Sequence, residues 1–498
     1  MDYVNSIFYG FSIAFQPMNL FYCFWGVFIG NLIGVLPGIG PAGTMALLLP
    51  FTVGASPVAG VIMLAGIYYG AMYGGSITSI LVNIPGEAAS VVTCLDGYQM
   101  ARQGRAGPAL GISAFGSFIA GTLGVIGLMF LANPLANFAL SFGPSEYFGI
   151  MCLGLILVIY MSKGSTIKGL ITAIGGFILS QVGRDAIYAM PRFTFGFREL
   201  DDGMEIVPVV MGLLGVSEVL INLEQSGDVS VYKTKIKNLL PDLKDWIASI
   251  GPILRGTIIG FLLGVLPGGG PIISSFVSYA LEKKKSKSPE RFGTGAIEGV
   301  AGPEAANNSA TAGGFIPLFS LGIPSNVVMA LLLAALMIHG MQPGPLLLKD
   351  HPEIFWGTVA SMYLGNIMLL VINIPLIGIW VQLLKIPYRI LFPLILVLML
   401  IGGYSLNNST FDVYLMLIFG VLGYLFRKFD FEPTPLILAF CLGGIMENNF
   451  RLSLRMSEGN FAIFLRPIPA IAFGIGLALI LSELLPIIRK FKTKIPEE

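Results

Sequence analysis

The sequence predicts an all-α polytopic membrane protein built from two repeats, and three observations carry that prediction: its hydrophobicity, the length of its apolar segments and an internal duplication. Of 498 residues, 55% are hydrophobic and 11% charged, whereas an ordinary soluble domain carries about 25% charged residues. Such a composition does not describe a water-facing surface. Apolar stretches recur along the chain, among them residues 109–131, 355–380 and 469–485. A bilayer-crossing helix needs about 17–25 such residues, so the chain holds roughly ten to twelve crossings or half-crossings.

The duplication is read by comparing the chain with itself. GNLIGVLPGIGP, residues 30–41, returns as GFLLGVLPGGGP, residues 260–271, a shift of 267 − 37 = 230. Upstream the match continues as a glycine ladder, with Gly26, Gly30, Gly34 and Gly38 in one copy and Gly256, Gly260, Gly264 and Gly268 in the other. A spacing of four aligns these glycines on one helix face, where they permit close helix approach. A second echo pairs Gly74, Gly75, Ile84 and Pro85 with Gly313, Gly314, Ile323 and Pro324, now shifted by 324 − 85 = 239. The added nine residues fit an insertion around residues 283–291. The chain therefore divides into a first transmembrane repeat, 1–222, with a hairpin around 19–53, a polar cytoplasmic linker, 223–246, and a second repeat, 247–498, with a hairpin around 248–281. Duplicated halves are a hallmark of secondary transporters.

Charge placement predicts opposite orientations for the two copies. Lysines 233, 235, 237 and 244 precede the second hairpin and Lys283, Lys284, Lys285, Lys287 and Arg291 follow it, whereas no Lys or Arg precedes Arg102 in the first half. Basic loops stay cytoplasmic, so the second hairpin enters and leaves on the inside and the first enters from outside, an inverted repeat. The absence of basic residues from 1–19 also removes the positive region of a cleaved secretory signal, and the first apolar segment is expected to be retained.

Each hairpin is a re-entrant or broken helix. Unpaired backbone groups are costly in hydrocarbon, so a helix interrupted by Leu-Pro-Gly must be buried in protein or face water. Pro37 and Pro267 end their helices. Gly38 and Gly40, and Gly268, Gly269 and Gly270, permit positive-φ turns that converge backbone N–H groups on one point, and the restarting helix aims its positive end there. Thr44, Ser274 and Ser275 lie in the next turn. Together they form a candidate cradle for a carboxylate that needs no buried arginine.

Polar, small-residue segments follow each hairpin. Ser76, Thr78 and Asn83 belong to the first and Asn326 to the second; all four are candidate substrate contacts, since polar groups at membrane depth usually line a pathway. Glu304, Asn307, Asn308 and Thr311 fall at i, i+3, i+4 and i+7, one face of a helix. That stripe can coordinate Na⁺ through oxygen atoms or let Glu304 carry a proton; the plainer alternative is hydrogen bonding that holds helices together. Glu87 reads equally as a helix cap and as a ligand.

Other features point to no chemistry. Gly38-Ile39-Gly40-Pro41-Ala42-Gly43 fits GxGxxG but follows an apolar helix rather than a strand, and no GxxxxGK[ST] occurs, so neither dinucleotide binding nor P-loop ATP hydrolysis is expected. Cys23, Cys94, Cys152 and Cys441 show no CxxC spacing, and His339 and His351 are the only histidines, which argues against a disulfide framework, a zinc site and an enzyme. A net charge of +1 leaves no nucleic-acid footprint. No cofactor is expected beyond a coupling Na⁺ or H⁺. Trp246, Trp356 and Trp380 are expected at the membrane interface.

GVLPGIGP, GVLPGGGP, YGGSITSILVNIPGEAAS and EGVAGPEAANNSATAGGFIPLFSLGIPSN resemble the large membrane subunit of the tripartite tricarboxylate transporters, and the likeness spans nearly the whole chain. The resemblance implies a multi-pass protein of the bacterial inner membrane that takes up citrate or related organic acids. It also implies a cation gradient as driving force and two partners, a small membrane subunit and a periplasmic solute-binding protein; self-association into a homo-oligomer stays open. A carboxylate or anion channel, or another cation-coupled carrier, is the alternative function.

Overall fold

The computed structural model describes residues 3–36, 40–161, 165–185, 187–224, 239–383 and 388–492. Pro37 and Gly38, and most of the polar linker, lie outside them. In the first half α1 (Tyr3–Ala14) leads into α2 (Pro17–Val35), α3 (Gly40–Thr52) and the long α4 (Pro57–Val82), followed by α5 (Val91–Arg102) and α6 (Ala106–Ala139). Then come α7 (Pro144–Met161), α8 (Thr166–Leu179) and a two-residue antiparallel ribbon of β1 (Gly183–Arg184) and β2 (Pro191–Arg192). A π-helical turn, Met211–Val216, joins α9 (Ile206–Val210) to α10 (Ser217–Glu224).

The second half repeats the opening order with α11 (Leu243–Val265), α12 (Gly270–Lys285), α13 (Glu298–Leu321) and α14 (Val327–Ile338). It continues through α15 (Pro345–Asp350), α16 (Pro352–Asn373), α17 (Ile377–Leu383), α18 (Tyr388–Ser405), α19 (Thr410–Lys428), α20 (Thr434–Met456) and α21 (Pro467–Lys492). Among the described residues eight helices are long and apolar enough to cross a membrane, and four shorter apolar ones accompany them. The chain is an all-α polytopic membrane protein.

Contacts group the chain into two units that cut across the halves read from the sequence. One holds Met1–Asn137 and Val207–Tyr424, the other Phe138–Ile206 and Leu425–Glu498. Both hairpins and both polar segments belong to the first unit.

The first unit is built on glycine contacts. A methyl group at Gly26, Gly30 or Gly34 of α2 would stand 2.4, 2.4 or 2.5 Å from the carbonyl oxygens of Met63, Ile67 and Ala71 on α4. On α11 a methyl group at Gly256, Gly260 or Gly264 would stand 2.3, 2.0 or 2.3 Å from the carbonyl oxygens of Gly302, Ala306 and Ala310 on α13. The partners are shifted by 256 − 26 = 230 and 302 − 63 = 239, the two offsets of the sequence repeat. Helices in lipid gain little from hiding apolar surface, so backbone proximity supplies the dispersion that holds them.

α3 and α12 span only about 20 and 24 Å at 1.5 Å per residue, short of the roughly 30 Å hydrocarbon core. α4 and α13 are buried along almost their whole length. Trp356 and Trp380, expected at the membrane edge, are interior instead, 5% and 1% exposed. The indole N–H of Trp380 donates to the Ile372 carbonyl at 3.0 Å, which satisfies the one polar atom that would otherwise favour the interface.

In the second unit α8 approaches α20 at Gly176, where a methyl group would meet the Leu436 carbonyl oxygen at 2.1 Å. The loop after α8 is pinned by charge. Asp185 accepts backbone N–H groups of Ile187 and Tyr188, each at 2.8 Å, and the Arg451 guanidinium at 2.8 Å. Arg192 and Arg451 both bond Glu447, at 2.8 and 2.6 Å. The Tyr188 and Ile187 amides, with Arg451, hold the Asp185 carboxyl down at about 2.

Two predictions follow from these contacts. Gly30→Ala and Gly260→Ala should each lower stability in detergent by about 1–3 kcal/mol through overpacking. Gly175→Ala, whose methyl group meets no described residue within 4 Å, should be neutral or stabilising by up to about 1 kcal/mol; thermal unfolding followed by tryptophan fluorescence reads all three. Because its folded value lies below the ordinary carboxylate range, Asp185 contributes stability above that range and loses it as pH falls through about 2. Limited proteolysis of the 183–203 loop should therefore show protection at neutral and mildly acidic pH in the wild type, and cleavage at neutral pH in Asp185→Asn.

Candidate functional site

Both hairpins break at the same place. α2 ends at Val35 and α11 at Val265, and the next residues, Leu36 and Leu266, are extended, with φ/ψ of −90/110 and −79/131 degrees. Proline has no N–H and clashes with a preceding turn, so neither helix continues. The chain re-enters helix at Gly40 and Gly270, which both take left-handed backbone, φ 64 and 41 degrees. Their numbers differ by 230, and glycine alone adopts that conformation without strain.

At the second tip, Gly268 has φ 81 degrees and its N–H donates to the Ser325 carbonyl at 2.8 Å; the Gly269 N–H donates to Leu266 at 3.0 Å. The amides left at the mouth belong to the first turn of α12, after Pro271, which has none. Asn326 is the side chain nearest a methyl group placed on Gly270, at 4.0 Å. At the first tip no described residue lies within 4 Å of such a group on Gly40.

The hydroxyls after each tip face inward along their own helices. Thr44 donates to the Gly40 carbonyl at 2.7 Å, Ser274 to Gly270 at 2.7 Å, and Ser275 to Pro271 at 3.0 Å, with the Pro303 carbonyl of α13 also within its reach at 3.4 Å. A buried hydroxyl needs an acceptor, and the carbonyl one turn back is the nearest. Thr78 likewise donates to Gly75 at 2.9 Å. An anion at either tip would thus meet backbone N–H groups rather than these side chains.

The loops after α4 and α13 are matched in the same way. Asn83 and Gly322, 239 residues apart, end their helices in left-handed conformation at φ 59 and 71 degrees. Asparagine and glycine are the residues that tolerate this cap. Four residues on, Glu87 accepts the Ala89 N–H at 2.6 Å, and Asn326 accepts the Met329 N–H at 3.1 Å. The Asn326 amide also donates to the Tyr68 hydroxyl at 3.2 Å, a bond between the two repeats.

The stripe on α13 forms one buried network. Ser76 donates to Glu304 Oε2 at 2.5 Å, Thr93 donates to Oε1, and the Asn307 amide reaches Oε2 at 3.4 Å. Asn308 donates to Asn307 Oδ1 at 2.6 Å and to Ser117 at 2.8 Å, and Thr311 donates to the Asn308 carbonyl at 2.5 Å. Glu304, Asn307 and Thr311 are wholly buried, and Asn308 is 1% exposed. The structure thus brings Ser76 from the first-repeat group together with the whole α13 stripe.

Thr93, Ser117, Tyr68 and Asp96 join this region without having stood out in the sequence, because each is a single polar residue in an otherwise unremarkable segment. Asp96, fully buried on α5, gathers the loop before α13. Its Oδ1 accepts the N–H groups of Gly293, Gly295 and Ala296, each at 2.8 Å, and its Oδ2 accepts the Tyr279 hydroxyl at 2.9 Å. Three glycine-rich amides around one acceptor are a signal visible only once the repeats are packed.

The sequence matches the model of the Tripartite tricarboxylate transporter TctA family over residues 20–438, a span that includes both hairpins and the α13 network. The chain belongs to that family. It therefore is the large subunit of a tripartite tricarboxylate transporter, a multi-pass membrane transport protein. An uncharacterized 52.8 kDa protein of the TAR-I ttuC' 3' region of Agrobacterium vitis is 48% identical over 496 residues, 99% of each chain. An uncharacterized protein of the TAR-II ttuC' 3' region of the same organism is 49% identical over 237 residues, 47% of this chain and 98% of its own. No solved structure matches the chain significantly.

The Asp96 node can be tested. Asp96→Ala strands the buried Ala296 amide at about 1–3 kcal/mol and frees the partly exposed amides of Gly293 and Gly295, so the variant should unfold at lower temperature than wild type and expose the 291–297 loop to protease. Unchanged unfolding and protection would show that the loop is held by other contacts.

Proposed function

We propose that this chain is the permease subunit for uptake of small carboxylates, citrate or a related organic acid, across the bacterial inner membrane, driven by a Na⁺ or H⁺ gradient. The observation that carries the reading is the pair of broken-helix hairpins, matched residue for residue at Leu36 and Leu266 and at Gly40 and Gly270. Such a pair offers two backbone cradles to one substrate. The amides in the first turns of α3, from Gly40, and of α12, from Gly270, receive carboxylate oxygens, with Asn326 beside the second tip and Ser76, Thr78 and Asn83 on the approaches. The two repeats lie in the membrane in opposite orientations, and alternating access, by an elevator or a rocking motion, exposes the site to each face in turn.

Glu304, with Asn307, Asn308 and Thr311, supplies the buried carboxylate and amide oxygens through which a coupling cation acts. A periplasmic solute-binding protein delivers the acid and a small membrane subunit completes the complex. The protein works as a carrier and catalyses no covalent step.

The test is uptake of labelled citrate and other carboxylates into proteoliposomes, with the binding protein and small subunit supplied and with Na⁺ or H⁺ gradients imposed. Saturable, gradient-driven accumulation with counterflow is expected. Gly268→Val and Gly270→Val place a β-branched residue in left-handed backbone, a strain of about 1–3 kcal/mol, and should cut uptake at least about tenfold while the protein remains inserted. Flux that is unsaturable and shows no counterflow would make the protein a channel.

A further inference from the structure

The loop after α4 carries a charge that its structural role does not require. Glu87 is 6% exposed, and its Oε2 accepts the Ala89 amide at 2.6 Å. Its Oε1 is buried with no hydrogen-bond partner. In the other repeat the same position, 326 − 87 = 239 residues on, is Asn326, which caps its helix through the Met329 amide with a neutral side chain. A cap at this site therefore works without ionisation. Burying an unpaired carboxylate costs several kcal/mol or more, so a surplus carboxylate at one of two matched positions calls for a function.

The surroundings define what neutralises it. The short turn Ala88–Ser90 packs against α4, α5, α12 and α13. From α4 the ionisable neighbour is Tyr68, from α5 Cys94 and from α13 Glu304, a second acid within electrostatic reach. On α12, Tyr279 and Glu282 are committed to Asp96 and Arg255. Among the described residues no Lys, Arg or His lies within ion-pair distance of Glu87 or Glu304. The two acids also differ in their bonding. Both Glu304 oxygens receive side-chain donors, whereas Glu87 Oε1 receives none. A metal ion at that atom would need several further oxygens; a proton needs only the open lone pair.

We infer that Glu87 is the proton-exchanging carboxyl of the transport site, binding H⁺ on Oε1 when the site is open to one face and releasing it as the carboxylate when open to the other. The inference rests on the proposed cation-coupled function, names H⁺ as its coupling ion and moves the exchanging carboxyl from Glu304 to Glu87. The step is a simple acid dissociation: one O–H bond forms or breaks, water on the open face gives or takes the proton, and no redox partner is involved.

Two measurements separate this from the functional reading. Infrared difference spectra of the purified, substrate-free protein across a pH titration should show a protonated carboxyl band that disappears in Glu87→Asn and Glu87→Gln and persists in Glu304→Gln. In proteoliposomes, folded Glu87→Asn, which copies the cap of the other repeat, should lose pH-gradient-driven accumulation while retaining counterflow. A titrating band that survives both Glu87 variants overturns the inference. So does accumulation by Glu87→Asn equal to wild type, loss of counterflow in both folded variants, or wild-type uptake that follows only a Na⁺ gradient. Failure of the wild type to carry any carboxylate, with the band intact, would instead overturn the substrate assignment.

Discussion

The close approach of backbone to backbone between α2 and α4, and again between α11 and α13, is the contact on which the rest of the first unit depends. Three glycines on each of α2 and α11 bring the facing carbonyls within a distance that no side chain allows. In a bilayer this proximity replaces the hydrophobic drive that assembles soluble cores. It also dictates register. A one-residue slip would turn bulky neighbours such as Val27 or Phe261 toward the facing helix, so the position of every polar group on α4 and α13 follows from the two ladders.

That register explains how α13, too polar to count among the membrane-crossing helices, is the most deeply buried helix of the second repeat. Its Glu304 is met by hydroxyls from α4 and α5, and its Asn308 by Ser117 of α6. Polar side chains that would be expelled from lipid one at a time are retained as a network that joins donors on α13 itself to Ser76, Thr93 and Ser117 of the other repeat. The helix breaks are tolerated for the same reason. Gly268 finds the Ser325 carbonyl, and the extended leucines after α2 and α11 bond back to the helices they end.

The repeats agree in backbone and differ in charge. Helix ends, left-handed caps and glycine contacts recur at constant offsets, but Asn326 stands where the first repeat has Glu87, and Ala65 stands where the second has Glu304. The pattern is that of a duplicated scaffold whose geometry was kept while its ionisable groups became specialised. The second unit shows another use of charge: Asp185, Arg192, Glu447 and Arg451 form a paired cluster that ties a loop to α20, outside any apolar helix pairing.

Much of this was legible in the residues alone. Hydrophobicity and segment length determined a polytopic helical protein, because a bilayer admits few other solutions. The repeated GVLPG and its glycine ladders determined both helix breaks and both glycine faces, because proline, glycine and a four-residue spacing act locally, through φ and through helix periodicity. The spacing of Glu304, Asn307, Asn308 and Thr311 likewise placed them on one helix face. What only the tertiary structure decided was partnership: that Thr44, Ser274 and Ser275 turn back on their own helices, that Thr93 and Ser117 meet the α13 stripe, that Asp96 gathers three distant amides, and that Trp356 and Trp380 lie inside. Those outcomes depend on residues far apart in the chain competing for the same hydrogen bonds and space, and such competition leaves no periodic trace in the sequence.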